Sequence, residues 1–126
     1  MSEHKLQSEI VIRFSQVFPE RRGRLFATFQ ETDKGSHLTS LGLVKGVSDL
    51  LYVTENGELI GIELKYPGKR HNAEHIKEQA YWLATIPKRG YFCTSMNMFF
   101  DIINGGEGID PRLVLRNMGE AKTYVF

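Results

Sequence analysis

The sequence has little cysteine, little proline and no long apolar run. No stretch approaches the roughly 20 apolar residues that a membrane-spanning helix needs. The single cysteine, Cys93, has no partner in the chain for a disulfide, which fits a reducing compartment. Within Tyr91-Phe92-Cys93 it reads as a small buried hydrophobe. The N-terminal Met1-Ser2-Glu3-His4-Lys5 is polar and no apolar signal core follows it, so a cytoplasmic, intracellular protein is expected. Charge of one sign is lacking too. Sixteen Lys and Arg against 15 Asp and Glu leave a net +1, which is not the strongly basic balance of a protein that coats nucleic acid. Repeats, low-complexity tracts and linkers are absent. The 126 residues suit one domain spanning 1–126, and a hydrophobic fraction of 41% is enough to build its core.

What is present reads as helices and strands in alternation. Leu6, Ile10, Phe14 and Val17 recur at helical spacing from about Lys5 to Phe18, and Pro19 stops that helix. Arg24–Gln30 reads as a strand through Leu25, Phe26 and Phe29. Glu31–Lys45 is polar and irregular. Val47–Val53 and Leu59–Lys65 are strand-like around the turn Glu55-Asn56-Gly57, and Tyr66-Pro67-Gly68 ends the second strand. A helix follows from Ala73 to Ile86, with Asn72 as N-cap and Pro87 beyond its end. Gly90–Thr94 is a short apolar strand, Met96–Ile103 a further helix, Asn104–Gly108 a loop and Thr123–Phe126 a final edge strand. This order predicts an α/β sandwich around a mixed sheet.

The hairpin carries the chemistry. Ile60, Ile62 and Leu64 alternate on one face, and Leu50 and Tyr52 continue that face on the partner strand. Asp49, Glu63 and Lys65 belong to the other face. A two-residue Asn56-Gly57 loop would set Asp49 against Leu64. A three-residue loop pairs Thr54 with Glu58 and sets Asp49 against Glu63. Gly57 suits the left-handed position that closes the longer loop, and both apolar faces then match, so this register is expected. Carboxylates opposed within roughly 5 Å repel unless a proton or cation intervenes. A hard divalent ion such as Mg²⁺ is the natural partner, with the Leu64 carbonyl as a further ligand. Lys65 can then hold water near a scissile phosphate, and the cation lets a phosphodiester enter an acidic site. Glu9 borders the apolar stripe of the first helix and Gln79 that of the second, so each could complete the pocket. The same residues also describe an ordinary solvated face.

Basic residues follow the hairpin. Lys69, Arg70, Lys88 and Arg89 are expected near the active edge as contacts to a nucleic-acid backbone, with His71 on phosphate. His71 and His75 have the spacing of zinc ligands, but Asn72 starts the helix between them and no HExxH or Cys context supports zinc. The Gly105-Gly106 loop lacks the Gly-Lys-Ser/Thr ending of a phosphate cradle. Tyr81 and Trp82 read as packing or interface residues, and Phe99, Phe100, Met96, Met98, Tyr124 and Phe126 either as interface material or as core filling.

Three segments in order, Gly46-Val47-Ser48-Asp49-Leu50-Leu51, Gly61-Ile62-Glu63-Leu64-Lys65 and Glu78-Gln79-Ala80-Tyr81-Trp82-Leu83, resemble the VRR-NUC branch of the PD-(D/E)XK nuclease superfamily. The resemblance covers roughly Leu6 to Ser95. Ser48 stands where that family often has Pro, at a position that is not a ligand. The resemblance implies a restriction-endonuclease-like α-β-β-β-α-β core with a mixed central sheet flanked by helices. It implies Asp49 and Glu63 as metal ligands, Lys65 as catalytic lysine, Gln79 as an active-site residue and Glu9 as the first-helix acid. It further implies a Mg²⁺- or Mn²⁺-dependent DNA endonuclease without organic cofactor. Short stand-alone members occur in bacteria and their viruses, so a phage-encoded homodimer acting on branched DNA or Holliday junctions is expected. The alternatives are a catalytically weak nucleic-acid-binding or assembly module of the same fold, and an RNA or restriction-type nuclease.

Overall fold

The computed structural model describes residues 2–28 and 47–126. The distal end of the strand expected at Arg24–Gln30, the irregular Glu31–Lys45 and Gly46 therefore fall wholly or in part outside the described residues. The elements in chain order are α1 (Glu3–Val17), a 3₁₀ turn (Pro19–Arg21), β1 (Leu25–Ala27), β2 (Leu50–Val53), β3 (Leu59–Leu64), β4 (Arg70–Asn72), α2 (Ala73–Thr85), β5 (Arg89–Cys93), α3 (Met96–Ile103), α4 (Pro111–Met118) and β6 (Thr123–Val125).

Local sequence explains most boundaries. The Ser2 side chain accepts from the Lys5 N–H at 3.2 Å and caps α1, and the helix stops at Phe18, before Pro19. The Asn72 side chain accepts from the Glu74 N–H at 2.9 Å and starts α2. Ser95 starts α3 in the same way. The β2–β3 hairpin has the expected register: Leu50 pairs with Ile62 and Val53 with Leu59. Thr54 pairs with Glu58 across the turn, and Gly57 takes φ +84°, which a residue with a Cβ resists.

The main sheet has the order β1-β2-β3-β5. Its first two pairings are antiparallel, and β5 lies parallel to β3 after the crossover through α2. Each face carries its own core. On one, Leu6, Ile10 and Phe14 of α1 and Phe99 and Ile102 of α3 pack on the hairpin's apolar residues. On the other, Ile76, Ala80 and Leu83 of α2 meet Phe92, Val114 and Met118. Gly61 and Gly90 stand side by side on β3 and β5 beneath α2. A Cβ on Gly61 would lie 3.0 Å from the Trp82 ring, and one on Gly90 would strike the Leu83 carbonyl. These two glycines let α2 lie close on the sheet.

Two features depart from expectation. The C-terminal strand does not edge the main sheet. It pairs with β4 in a separate two-stranded ribbon, His71 opposite Tyr124. Helix α4 was not anticipated, although Asp110 caps it, Pro111 opens it, Val114 and Met118 form its buried stripe and Gly119 follows it. Eight residues offer too few turns for periodicity to stand out. The aromatic and Met residues read either as interface material or as core filling lie in the cores. Phe99 is fully buried, and Phe100, Met96, Met98, Tyr124 and Phe126 pack against the two clusters. No helix among the described residues is long and apolar enough to cross a membrane.

Candidate active site

The hairpin register brings Asp49 opposite Glu63. Asp49 lies one residue before β2, and two bonds from Thr28 fix its backbone. The Thr28 N–H donates to the Asp49 carbonyl at 3.1 Å, and the Thr28 hydroxyl to the Ser48 carbonyl at 2.6 Å. The wholly buried Ser48 donates its hydroxyl to the Leu50 carbonyl at 2.9 Å. The two acids then clasp each other's backbone. The Asp49 N–H donates to Glu63 Oε1 at 3.1 Å, and the Leu64 N–H donates to Asp49 Oδ2 at 2.9 Å. Gln79 Nε2, reaching down from α2, donates to Glu63 Oε2 at 3.0 Å, and Lys65 Nζ stands 3.6 Å from the same oxygen.

This cluster is not a solvated face. Glu63 is 4% exposed and Lys65 5%, because α2 covers them. Burial drives the Glu63 carboxyl well above the ordinary carboxylate range, the Asp49 charge adds to the rise, and Lys65 opposes it. Asp49 is raised as well, chiefly by burial, against lowering bonds from Glu63 and the Leu64 N–H. Two carboxylates and one ammonium sum to −1 in a site largely shut from water. Such a cluster takes up either a proton or a cation.

The expected first-helix acid differs. Glu9 is exposed, and its carboxylate makes no hydrogen bond or ion pair among the described residues. Glu3, in the first turn of α1, reaches the cluster instead. Its Oε2 accepts from the Tyr66 N–H at 3.3 Å and faces His71 Nε2 at 3.6 Å and Lys69 Nζ at 4.0 Å. Its charge is among those that raise Asp49. Glu3, Leu6 and Ile10 form the helical i, i+3, i+7 pattern, and that was the signal for it.

Lys69 and Arg70 are exposed beside this end of the sheet, Lys69 within reach of Glu3. Lys88 and Arg89 are not near it. Arg89 opens β5 opposite Ile60, and Leu64 is paired only at Cys93, four residues and about 13 Å further along the strand. Lys88 pairs with Glu58 at 3.7 Å, and Arg89 donates to the Gly106 carbonyl at 2.6 Å. A parallel strand runs toward the site, so residues at its start lie at the far end. His71 is not a free phosphate contact either. Its side chain is one-tenth exposed and its Nε2 is buried.

The donor set suits a hard cation. Among the described residues no three His, Cys, Asp or Glu side chains converge as a metal cage, so a tetrahedral zinc site does not fit. Two carboxylates with a neighbouring main-chain carbonyl would leave half of an octahedral shell to water, as Mg²⁺ and Mn²⁺ accept. Gln79 Oε1 is buried without a hydrogen-bond partner, one more oxygen at the rim.

No family model and no curated protein matches the chain. Among solved structures, one described as a VRR_NUC domain protein is similar. The two are 15% identical, the match covers 87% of this chain and 96% of that one, and the TM-score is 0.59. The chain therefore shares the fold of a VRR_NUC domain protein, as the three sequence segments led one to expect.

Proposed function

We propose that the protein is a metal-dependent endonuclease that hydrolyses phosphodiester bonds in DNA, with branched DNA as its substrate. One observation carries this reading. Half-buried Asp49 and buried Glu63, opposed across a hairpin beside buried Lys65, form an acidic pair whose excess negative charge, when both are ionised, a divalent cation would neutralise. Asp49, Glu63 and the Leu64 carbonyl would hold Mg²⁺ or Mn²⁺. When bound, the cation supplies Lewis acidity at a phosphate oxygen and lowers the pKa of water.

The chain's own residues do the rest. Lys65, anchored at its backbone by the bond from its N–H to the Cys93 carbonyl at 2.9 Å, holds the attacking water and faces the charge that grows on the phosphate. Gln79 fixes the Glu63 carboxylate so that its other oxygen keeps its place. Glu3 takes the role expected of Glu9, an acid at the rim. Lys69 and Arg70 receive the flanking backbone phosphates. A single site cuts one strand, so symmetric opening of a four-way junction calls for a two-fold dimer.

The test is incubation of the protein with duplex, flap and four-way-junction DNA, with Mg²⁺, Mn²⁺ or EDTA. Metal-dependent cleavage that favours the branched substrates is expected. Tight DNA binding without cleavage under every metal would replace this reading with that of a binding module. Cleavage of RNA alone would move the substrate class.

A further inference from the structure

We infer that His71 is a positioning residue: the C-terminal strand holds its imidazole so that Nε2–H orients the Glu3 carboxylate toward the Asp49–Glu63 pair. The inference rests on the site assignment above, but its first test requires no cleavage.

The starting point is an orphan. His71 Nε2 is buried and has no hydrogen-bond partner, although the side chain is nine-tenths enclosed. A buried ring nitrogen without a partner is costly and calls for an explanation. It has no solvent access through which to reach a phosphate. What it faces is Glu3 Oε2, at 3.6 Å. The same oxygen takes the Tyr66 N–H and faces Lys69, so three groups converge on one side of the carboxylate. Every hydrogen bond and ion pair of the Glu3 carboxylate to a described residue is made by Oε2, none by Oε1. Contacts of this kind are often long until ligand draws the groups together.

The ring is itself held. His71 sits opposite Tyr124 in the β4–β6 ribbon. Phe126 meets the imidazole edge-on with centroids 5.9 Å apart, and it is wedged between Tyr124 at 4.9 Å and Phe92 at 4.7 Å. The C-terminal aromatics thus fix the orientation of a ring that reaches the site from a three-residue strand. Burial, with the Lys65 charge next, holds His71 below its ordinary value, which keeps it a neutral, directional donor.

Nitrogen NMR of the metal-free wild-type protein tests this directly. His71 should carry its proton on Nε2 with the downfield Nε2–H shift of a hydrogen-bonded donor, and Glu3→Ala should remove that downfield shift. Calorimetric Mn²⁺ titration supplies the second measurement. His71→Phe, which keeps the ring packing, and Glu3→Ala should each weaken Mn²⁺ binding about tenfold, the scale of outer-shell partners. The double variant should lose no more than either alone, and His71→Gln, which restores a donor, should recover most of the loss. A wild-type Nδ1–H tautomer, an Nε2–H shift indifferent to Glu3→Ala, or additive losses in the double variant would each overturn the inference. Failure of the nuclease reading shows separately, as wild-type protein that cleaves nothing with any metal.

Discussion

Replacement of Glu63 by Gln should make the metal-free protein more stable while it destroys metal binding. With its carboxyls ionised, the cluster of Asp49, Glu63 and Lys65 carries two negative charges against one positive, and burial of Glu63 opposes that state. Glu63→Gln leaves Asp49 to balance Lys65. The hydrogen bonds survive. The Asp49 N–H still finds an oxygen, and a half-turn of the Gln79 amide presents its unpartnered Oε1 to the new amide. The sign follows from linkage. Burial raises the Glu63 carboxyl, so the native state binds more protons than the unfolded chain, and stability falls as pH rises from the ordinary value of 4.5 through the native titration. Each unit of elevation contributes about 1.4 kcal/mol. His71, lowered by burial, acts in the opposite sense below its ordinary value of 6.5, but it is common to both proteins. The variant's advantage should vanish near pH 4.5 and grow as pH rises toward 8 in EDTA, where it is read as a rise in Tm. For a chain of this size that is about 3–5 °C in Tm per kcal/mol. Mn²⁺ at a hundred times its Kd should add about 2.7 kcal/mol to the wild type and nothing to Glu63→Gln. Thermal unfolding across pH, in EDTA and in Mn²⁺, measures all of this. A variant less stable than wild type at pH 8 in EDTA, or a difference that ignores pH, would falsify the charge argument.

Further outcomes follow from the same geometry. Lys65→Met, close in volume, should lower cleavage at least about a hundredfold while Mn²⁺ binding by calorimetry persists; full activity would remove Lys65 from the mechanism. Affinity for DNA should fall as salt rises, and Lys69→Ala and Arg70→Ala should each flatten the logarithmic slope by about one, whereas Lys88→Ala, at the far end of the sheet, should leave it nearly unchanged. Gly90→Ala should destabilise the fold by roughly 1–3 kcal/mol in denaturant titration, because its Cβ would strike the Leu83 carbonyl beneath α2. Light scattering should report a dimer and junction DNA should receive paired nicks; a monomer that nicks one strand only would refute the junction-resolving part of the proposal and leave hydrolysis standing.

The placing of Asp49 opposite Glu63 was legible in the sequence because its causes are local. The Glu55-Asn56-Gly57 turn and the alternation of Leu50, Tyr52, Ile60, Ile62 and Leu64 determine one register, and that register alone sets Asp49 against Glu63. The side-chain cap at Asn72 likewise marks the start of α2. Tertiary structure decided what depends on how elements cross. Helical periodicity puts both Glu3 and Glu9 beside the buried stripe, and only the lie of α1 on the sheet brings its first turn, not its second, to the carboxylates. The parallel direction of β5 carries Lys88 and Arg89 away from the site, a fact of strand order that composition does not encode. Thr123–Val125 looks like any edge strand, yet it pairs with Arg70–Asn72, while Ile109 takes the outer edge of β5 at Phe92. Burial of Glu63 and Lys65 was equally invisible. A strand's polar face is wet or dry according to what packs on it, and here Gly61 and Gly90 admit α2 closely enough to exclude water.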